Sequence, residues 1–140
     1  MRTVFADTFY WISFFNPNDV WYKQVRDVTR LLEPLQIVTT EDVLSEVLTF
    51  YSNSGLRMRR RTVELVKGIL GSDDIQVVKQ SHELFLAGID LYERRLDKGY
   101  SLPDCASMNV MRQLNINEVL THDKHFAQEG FLILFERLEN

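Results

Sequence analysis

Thr3-Val4-Phe5-Ala6-Asp7, running straight into the apolar rhythm of Phe9 to Phe15, is the stretch that sets the fold. Its first four residues form a short β-branched and aromatic run, as a strand does, and the residues after Asp7 space their apolar side chains at the helical period. The same alternation recurs along the chain. Leu35-Gln36-Ile37-Val38-Thr39, Ile75-Gln76-Val77-Val78, Glu118-Val119-Leu120-Thr121 and the run from Phe131 to Phe135 read as further strands. Helices are predicted over Val20 to Leu32, Val43 to Tyr51, Arg59 to Leu70, His82 to Leu96 and Cys105 to Leu114, with Gly71-Ser72 and Lys98-Gly99 as stops. In the helix opened by His82, the residues Phe85, Ile89, Tyr92 and Leu96 fall on one stripe, which predicts packing on a sheet. Strand and helix in alternation give an α/β fold whose mainly parallel sheet of about five strands is covered on both faces.

A chain of 140 residues suits one domain, 1–140. The hydrophobic share of 45% supplies a core, and with a net charge of only −4 it excludes the disordered class. That charge also argues against a generally basic nucleic-acid-binding coat, while leaving room for a local basic patch. Cys105 is the only cysteine, so neither an intrachain disulfide nor a cysteine-based zinc site can form. Its solitude fits a reducing, cytoplasmic setting. No apolar run approaches the length of a bilayer, so no membrane association is expected. The opening Met1-Arg2-Thr3-Val4-Phe5-Ala6-Asp7 meets an acid before any signal-like run develops, so no secretory peptide is expected either.

Three aspartates occupy equivalent places in this pattern. Asp7 follows the first strand, Asp104 lies in the first turn of the helix after Ser101-Leu102-Pro103, and Asp123 follows the strand ending at Thr121. In open α/β sheets, ligands bind beyond the carboxyl ends of the strands. Glu46, about one turn into the helix after the second strand, is within side-chain reach of the same edge. Four carboxylates at one edge repel one another, and a hard divalent cation with oxygen ligands is the natural remedy. Three of them also have a plainer role. Asp7 and Asp123 are placed as N-caps, worth about 1 kcal/mol each, and Ser101-Leu102-Pro103-Asp104 resembles a capping box. Glu46 has no capping role, with Val43, Leu44, Val47 and Leu48 around it. Spacing alone leaves caps and metal site both open.

Taken in order, the blocks Val4-Phe5-Ala6-Asp7-Thr8, Thr40 to Leu48 around Glu46, Tyr100-Ser101-Leu102-Pro103-Asp104-Cys105-Ala106-Ser107-Met108, and Leu120-Thr121-His122-Asp123-Lys124-His125-Phe126 with Gly130-Phe131 resemble the PIN domain family. More narrowly, the chain is similar to the toxin half of VapBC toxin–antitoxin modules. The resemblance implies a three-layer α/β/α domain and a metal-dependent endoribonuclease. It implies Mg²⁺ or Mn²⁺ held by Asp7, Glu46, Asp104 and Asp123, with Thr8 and Thr121 as hydroxyls that orient a ligand or a water. It further implies an RNA substrate, a cognate antitoxin protein as partner, and a homodimer. One position departs from the pattern: many relatives carry Ser or Thr two residues after the first aspartate, where this chain has Phe9. That departure admits an alternative, a non-catalytic PIN-like RNA-binding or regulatory domain.

Arg57, Arg59, Arg60 and Arg61 open a helix with positive charge, against its dipole, and so call for a partner. RNA phosphates are one reading; a solvated face, or ion pairs with acids such as Glu64, is the other. Trp11, Phe14, Phe15, Trp21 and Tyr22 are more aromatics than two helices need for a core, and the surplus suits a dimer or antitoxin interface. Cys105, Met108 and Met111 have core spacing. His122-Asp123 matches the dipeptide of an all-helical phosphohydrolase family, but no aspartate follows Asp123 to complete that site. His125 reads as a surface or phosphate-contacting residue rather than a ligand. Glycine-rich phosphate loops are absent, and so is the acid pair that a phosphoacceptor domain would carry at its first strand's end.

Overall fold

The computed structural model describes residues 1–136. Strands β1 (Arg2–Ala6), β2 (Leu35–Thr40), β3 (Ile75–Val78), β4 (Glu118–Leu120) and β5 (Leu132–Ile133) form one sheet in the order β3-β2-β1-β4-β5. Every pairing in it is parallel. The helices among the described residues are α1 (Thr8–Phe15), α2 (Tyr22–Leu32), α3 (Glu41–Phe50), α4 (Leu56–Leu70), α5 (His82–Arg94), α6 (Leu102–Gln113) and α7 (Lys124–Gln128). Val4, Phe5 and Ala6 are all buried, as are Val38 with Thr39 and Val119 with Leu120. Successive strand residues point to opposite faces, so unbroken burial requires cover on both. This is the three-layer α/β/α arrangement that the alternation predicts.

The strand order positions the site. From β1 the chain steps outward to β2 and β3, then crosses back to lay β4 on the other side of β1. A reversal of this kind leaves a crevice at the carboxyl ends of the two diverging strands. The pairing of Ala6 with Leu120 fixes which residues meet there, since Asp7 and Thr121 are the next in each chain.

Helix α6 is the buried helix of the domain: Cys105, Ala106, Ser107, Met108, Val110 and Met111 are all inside, as core spacing predicts for Cys105, Met108 and Met111. Its start is fixed by the predicted capping box, in which the Ser101 hydroxyl accepts from the Asp104 N–H at 3.1 Å and the Asp104 carboxylate accepts from the Ser101 N–H at 3.3 Å. Helix α5 lies against that first turn. A side chain at Gly88 would come within 3.2 Å of Leu102 Cδ1, so the absence of one lets the two helices approach.

The stripe predicted to pack on a sheet does not do so. Phe85, Ile89, Tyr92 and Leu96 are all exposed, and α5 instead buries Gly88 and Leu91. The reason is geometric: α5 packs on α6, and the close approach at Gly88 turns the helix so that its larger apolar residues face outward. Helix α7 is absent from the sequence reading because five residues are too few to show a period. The last strand pairs over two residues only, yet Phe131, Ile133 and Phe135 keep their alternate burial. No helix among the described residues is long and apolar enough to cross a membrane.

The aromatic surplus divides. Trp11 is buried, its indole N–H donating to Thr39 Oγ1 at 3.3 Å. Phe14, Tyr22 and Phe15 are half-buried under cations, with Arg26 over the first two rings at 4.2 and 4.6 Å and Arg61 over the third at 5.3 Å. Trp21 joins a different cluster, described below.

Candidate metal centre at the carboxyl edge of the sheet

Asp7 stands at the N-cap of α1, but its side chain does not cap the helix. Buried at 8% exposure, its carboxylate accepts the Thr121 hydroxyl at 3.0 Å. Thr121 Oγ1 in turn accepts the Asp123 N–H at 3.2 Å. One hydroxyl therefore ties the end of β1 to the turn after β4. Glu46, on α3, receives the Thr8 hydroxyl at 2.9 Å. Both threonines point at carboxylates, so each orients an acid. Asp123 does cap α7, accepting the His125 N–H at 2.9 Å. Asp104 and Asp123 thus act as caps while standing at this edge, whereas Asp7 makes no side-chain cap.

The four acids are near enough to sense one another. Burial pushes the Asp7 carboxyl up to about 7; the Thr8 N–H and Thr121 hydroxyl oppose the rise, and Asp104 and Glu46 add to it. Burial likewise raises Glu46, with Asp104 contributing, and raises Asp104, with Asp123 contributing. No lysine or arginine forms an ion pair with any of the four among the described residues. The nearest cationic candidate is His125, whose Nδ1 lies 3.6 Å from Asp104 Oδ2 and 3.5 Å from Asp123 Oδ1.

That nitrogen tests whether the residues fit a cation. It is buried and has no hydrogen-bond partner, yet it faces two carboxylates. Asp104, Asp123 and His125 offer ligand atoms that all lie within 4.8 Å of one another, while Asp7 and Glu46 stand outside this tightest group. Carboxylate oxygens with one imidazole suit Mg²⁺ or Mn²⁺, and the raised proton affinity of Asp7, Glu46 and Asp104 is what crowded, buried carboxylates show before a cation binds. The set fits a divalent ion. The sequence reading takes His125 as a surface or phosphate-contacting residue; the structure leaves it partly exposed and brings its Nδ1 to the two aspartates. Its one sequence signal is its position two residues after an N-cap aspartate, where the first turn folds it back toward that acid.

The arginines lie apart from this edge. Arg57, Arg59, Arg60 and Arg61 are all exposed in the first turns of α4. No ion pair with Glu64 forms, and the side chains of Arg57, Arg59 and Arg60 have no acidic partner among the described residues. Arg61 sits over Phe15, the last residue of α1, while Asp7 precedes the first. An eight-residue helix separates them, about 12 Å at 1.5 Å per residue.

Comparison with known proteins adds the family. A model of the PIN domain matches residues 4–132. Among solved structures, that of Mycobacterium tuberculosis VapC20, a sarcin–ricin loop cleaving toxin, superposes with a TM-score of 0.82. The two share 23% identity over 92% of this chain and 96% of that one, a likeness of fold. No curated protein matches the sequence.

Proposed function

The chain belongs to the PIN domain family, and from that premise we propose that it is a metal-dependent endoribonuclease, the toxin of a type II toxin–antitoxin module. The observation that carries this reading is the set of four carboxylates gathered at the β1–β4 crevice with no lysine or arginine paired to them among the described residues. Asp7, Glu46, Asp104 and Asp123 would hold Mg²⁺ or Mn²⁺, with His125 beside them. A divalent ion bound there lowers the pKa of a coordinated water and offsets charge building on the scissile phosphate.

The chain's own groups supply the rest. Thr121 fixes Asp7 against the Asp123 turn, and Thr8 fixes Glu46, so the carboxylates are oriented before substrate arrives. The carboxylates can also accept the proton an attacking water sheds. That role belongs to the set, because coupled acids titrate jointly. No serine–histidine pair or reactive thiol is needed, and Cys105 is buried. Arg57, Arg59, Arg60 and Arg61 are placed to meet RNA phosphates away from the cleavage point. A cognate antitoxin protein that covers the crevice would silence the enzyme. The exposed apolar residues of α5 suit a homodimer contact, and the proposed setting is the cytoplasm, where the RNA is.

The test uses the purified chain and a hairpin RNA bearing the sarcin–ricin loop, the element named for VapC20. Cleavage should require Mn²⁺ or Mg²⁺, stop in chelator, and be lost in Asp104→Asn. Retained RNA binding with no cleavage under either metal would move the chain to the alternative, a non-catalytic RNA-binding or regulatory domain, for which Phe9 at a usual hydroxyl position is the motive.

A further inference from the structure

Beside the acids stands a second cluster, made of rings. Trp21 and His122 are stacked, 8° from parallel with centroids 4.9 Å apart. Phe9 meets both edge-on, at 5.3 Å from Trp21 and 4.4 Å from His122. Phe135, fully buried, supports Phe9 at 5.7 Å and Trp21 at 6.3 Å. The cluster is graded from inside to outside: Phe135 is buried, Phe9 and Trp21 are half-buried, and His122 is exposed. His122 is the outer layer of the stack, and its imidazole hydrogen-bonds no protein group among the described residues.

We propose that Phe9, Trp21 and His122 form a stacking platform for one unpaired base of the RNA substrate, set beside the scissile phosphate. The proposal rests on the ribonuclease reading above and adds to it how the substrate is gripped. Its first support is place. Phe9 is two residues after Asp7, and His122 lies between Thr121 and Asp123, so the rings are tied by backbone to two of the candidate acids. A chain whose phosphate sits at those acids has a neighbouring base within reach of the rings. The second support is chemistry. Core aromatics are normally covered, whereas this stack ends in an exposed planar ring with free nitrogen atoms. Single-stranded RNA is recognised by such flat, sequence-tolerant surfaces. On this account Phe9 is no lost hydroxyl. It braces the stack edge-on, which makes the departure at that position a change in how substrate is held.

The experiment measures binding of the sarcin–ricin hairpin in chelator, where cleavage is off. The proteins are wild type, His122→Ala and His122→Phe, and the RNAs carry a single abasic site at each loop position in turn. His122→Ala should weaken binding roughly 5- to 100-fold, the worth of one base–aromatic stack, and His122→Phe should restore most of it. One abasic position should weaken wild-type binding by a similar factor and leave His122→Ala binding nearly unchanged, since the two changes remove the same contact. Wild type that binds the hairpin with no such coupled position overturns the platform and leaves the ribonuclease reading standing. A His122→Ala loss that is equal on every abasic hairpin overturns it too, assigning the rings to packing or to a protein partner. Wild type that binds no hairpin, and neither binds nor cuts a mixed pool of cellular RNA, brings down both readings together.

Discussion

Two acids in this domain lie almost out of solvent, and their surroundings differ completely. The Glu129 side chain, 3% exposed after α7, is held by Arg95 at 2.7 Å, by Arg112, and by the Tyr100 hydroxyl at 3.2 Å. Burial alone would raise its pKa, but the hydrogen bonds from Arg95 and Arg112 bring it below the ordinary glutamate value. Asp7 is as deeply placed, yet its partners are a hydroxyl and a backbone N–H, and its acidic neighbours push it further up, to about 7. The chain can neutralise a buried carboxylate with arginines, and at Glu129 it does. At the β1–β4 crevice no lysine or arginine among the described residues does the same. A structural acid is stabilised by the protein's own cations; on the proposed metal reading, Asp7 carries a standing cost until an ion binds.

The largest expected effect breaks the comparison at Asp7. A carboxyl whose folded value lies above its unfolded one binds more protons in the native state. Stability therefore falls as pH rises from the ordinary aspartate range through about 7, and the penalty is fully present above that. A shift from 3.8 to about 7 corresponds to something of order 4 kcal/mol. Asp7→Asn should then be more stable than wild type at pH 8 in chelator, with much of the decline between pH 5 and pH 8 removed. Denaturant unfolding at the two pH values measures it, and equal slopes for both proteins would refute the uncompensated charge. Added Mn²⁺ should narrow or reverse the ranking by stabilising wild type more than the variant, which keeps Asp104, Asp123 and His125.

Glu129 should answer with the opposite sign. Its folded value is lowered, so it contributes stability above the ordinary glutamate range that is lost as pH falls through the folded value. Glu129→Gln should cost about 2 kcal/mol at pH 7, a figure kept modest because Arg95 and Arg112 remain partly solvated. The cost should shrink as pH falls through that lowered folded value, where wild-type Glu129 is itself protonated. Metal should make no difference to it. A metal-sensitive Glu129 variant would erase the distinction between the two acids.

The two regions were not equally legible in the sequence. The order of strands and helices follows from periodicity, and Asp7, Asp104 and Asp123 fall at strand ends and helix starts where an α/β sheet gathers its ligands. The Ser101–Asp104 box was readable because a cap is local. What escaped depends on contacts between distant segments. Nothing near Glu129 announces Arg95, 34 positions earlier in the chain. His125 looks like a surface residue until α7 turns it toward Asp104. The stripe on α5 has a convincing helical period and faces outward all the same, because the close fit of Gly88 on α6 decides the rotation. Pattern gives the face that is apolar; packing decides whether anything covers it.

Smaller effects sharpen the comparison inside the site. Thr121 holds Asp7 and the Asp123 turn together, while Thr8 holds Glu46 alone. Removing a group that orients a ligand typically costs 10- to 100-fold. Thr121→Ala should therefore lower cleavage by more than the roughly tenfold expected of Thr8→Ala, with the metal requirement kept in both. Metal titrations of cleavage rate separate the two variants, and equal losses would mean that the bridge from β1 to β4 matters no more than the single bond to Glu46.

The smallest effect concerns cations rather than acids. Arg95 and Arg112 are committed to Glu129, whereas the side chains of Arg57, Arg59 and Arg60 have no acidic partner among the described residues. Their positive charge also opposes the dipole of α4, so the protein gains nothing from them internally. If they meet RNA phosphates, each contact releases counterions and steepens the salt dependence of binding by about 0.7 for a single strand. Neutralising two, as in Arg57→Gln with Arg60→Gln, should flatten the slope for an unpaired RNA by roughly 1.4 while leaving cleavage at saturating RNA unchanged. Cleavage is spared because the cluster lies about a helix length from Asp7, so it can hold the strand without touching the reacting phosphate. Arg95→Gln with Arg112→Gln removes the same formal charge and should leave the slope alone, because those guanidinium groups already face a carboxylate. If both double variants flatten the slope equally, overall charge governs binding and the α4 arginines have no special place on the RNA.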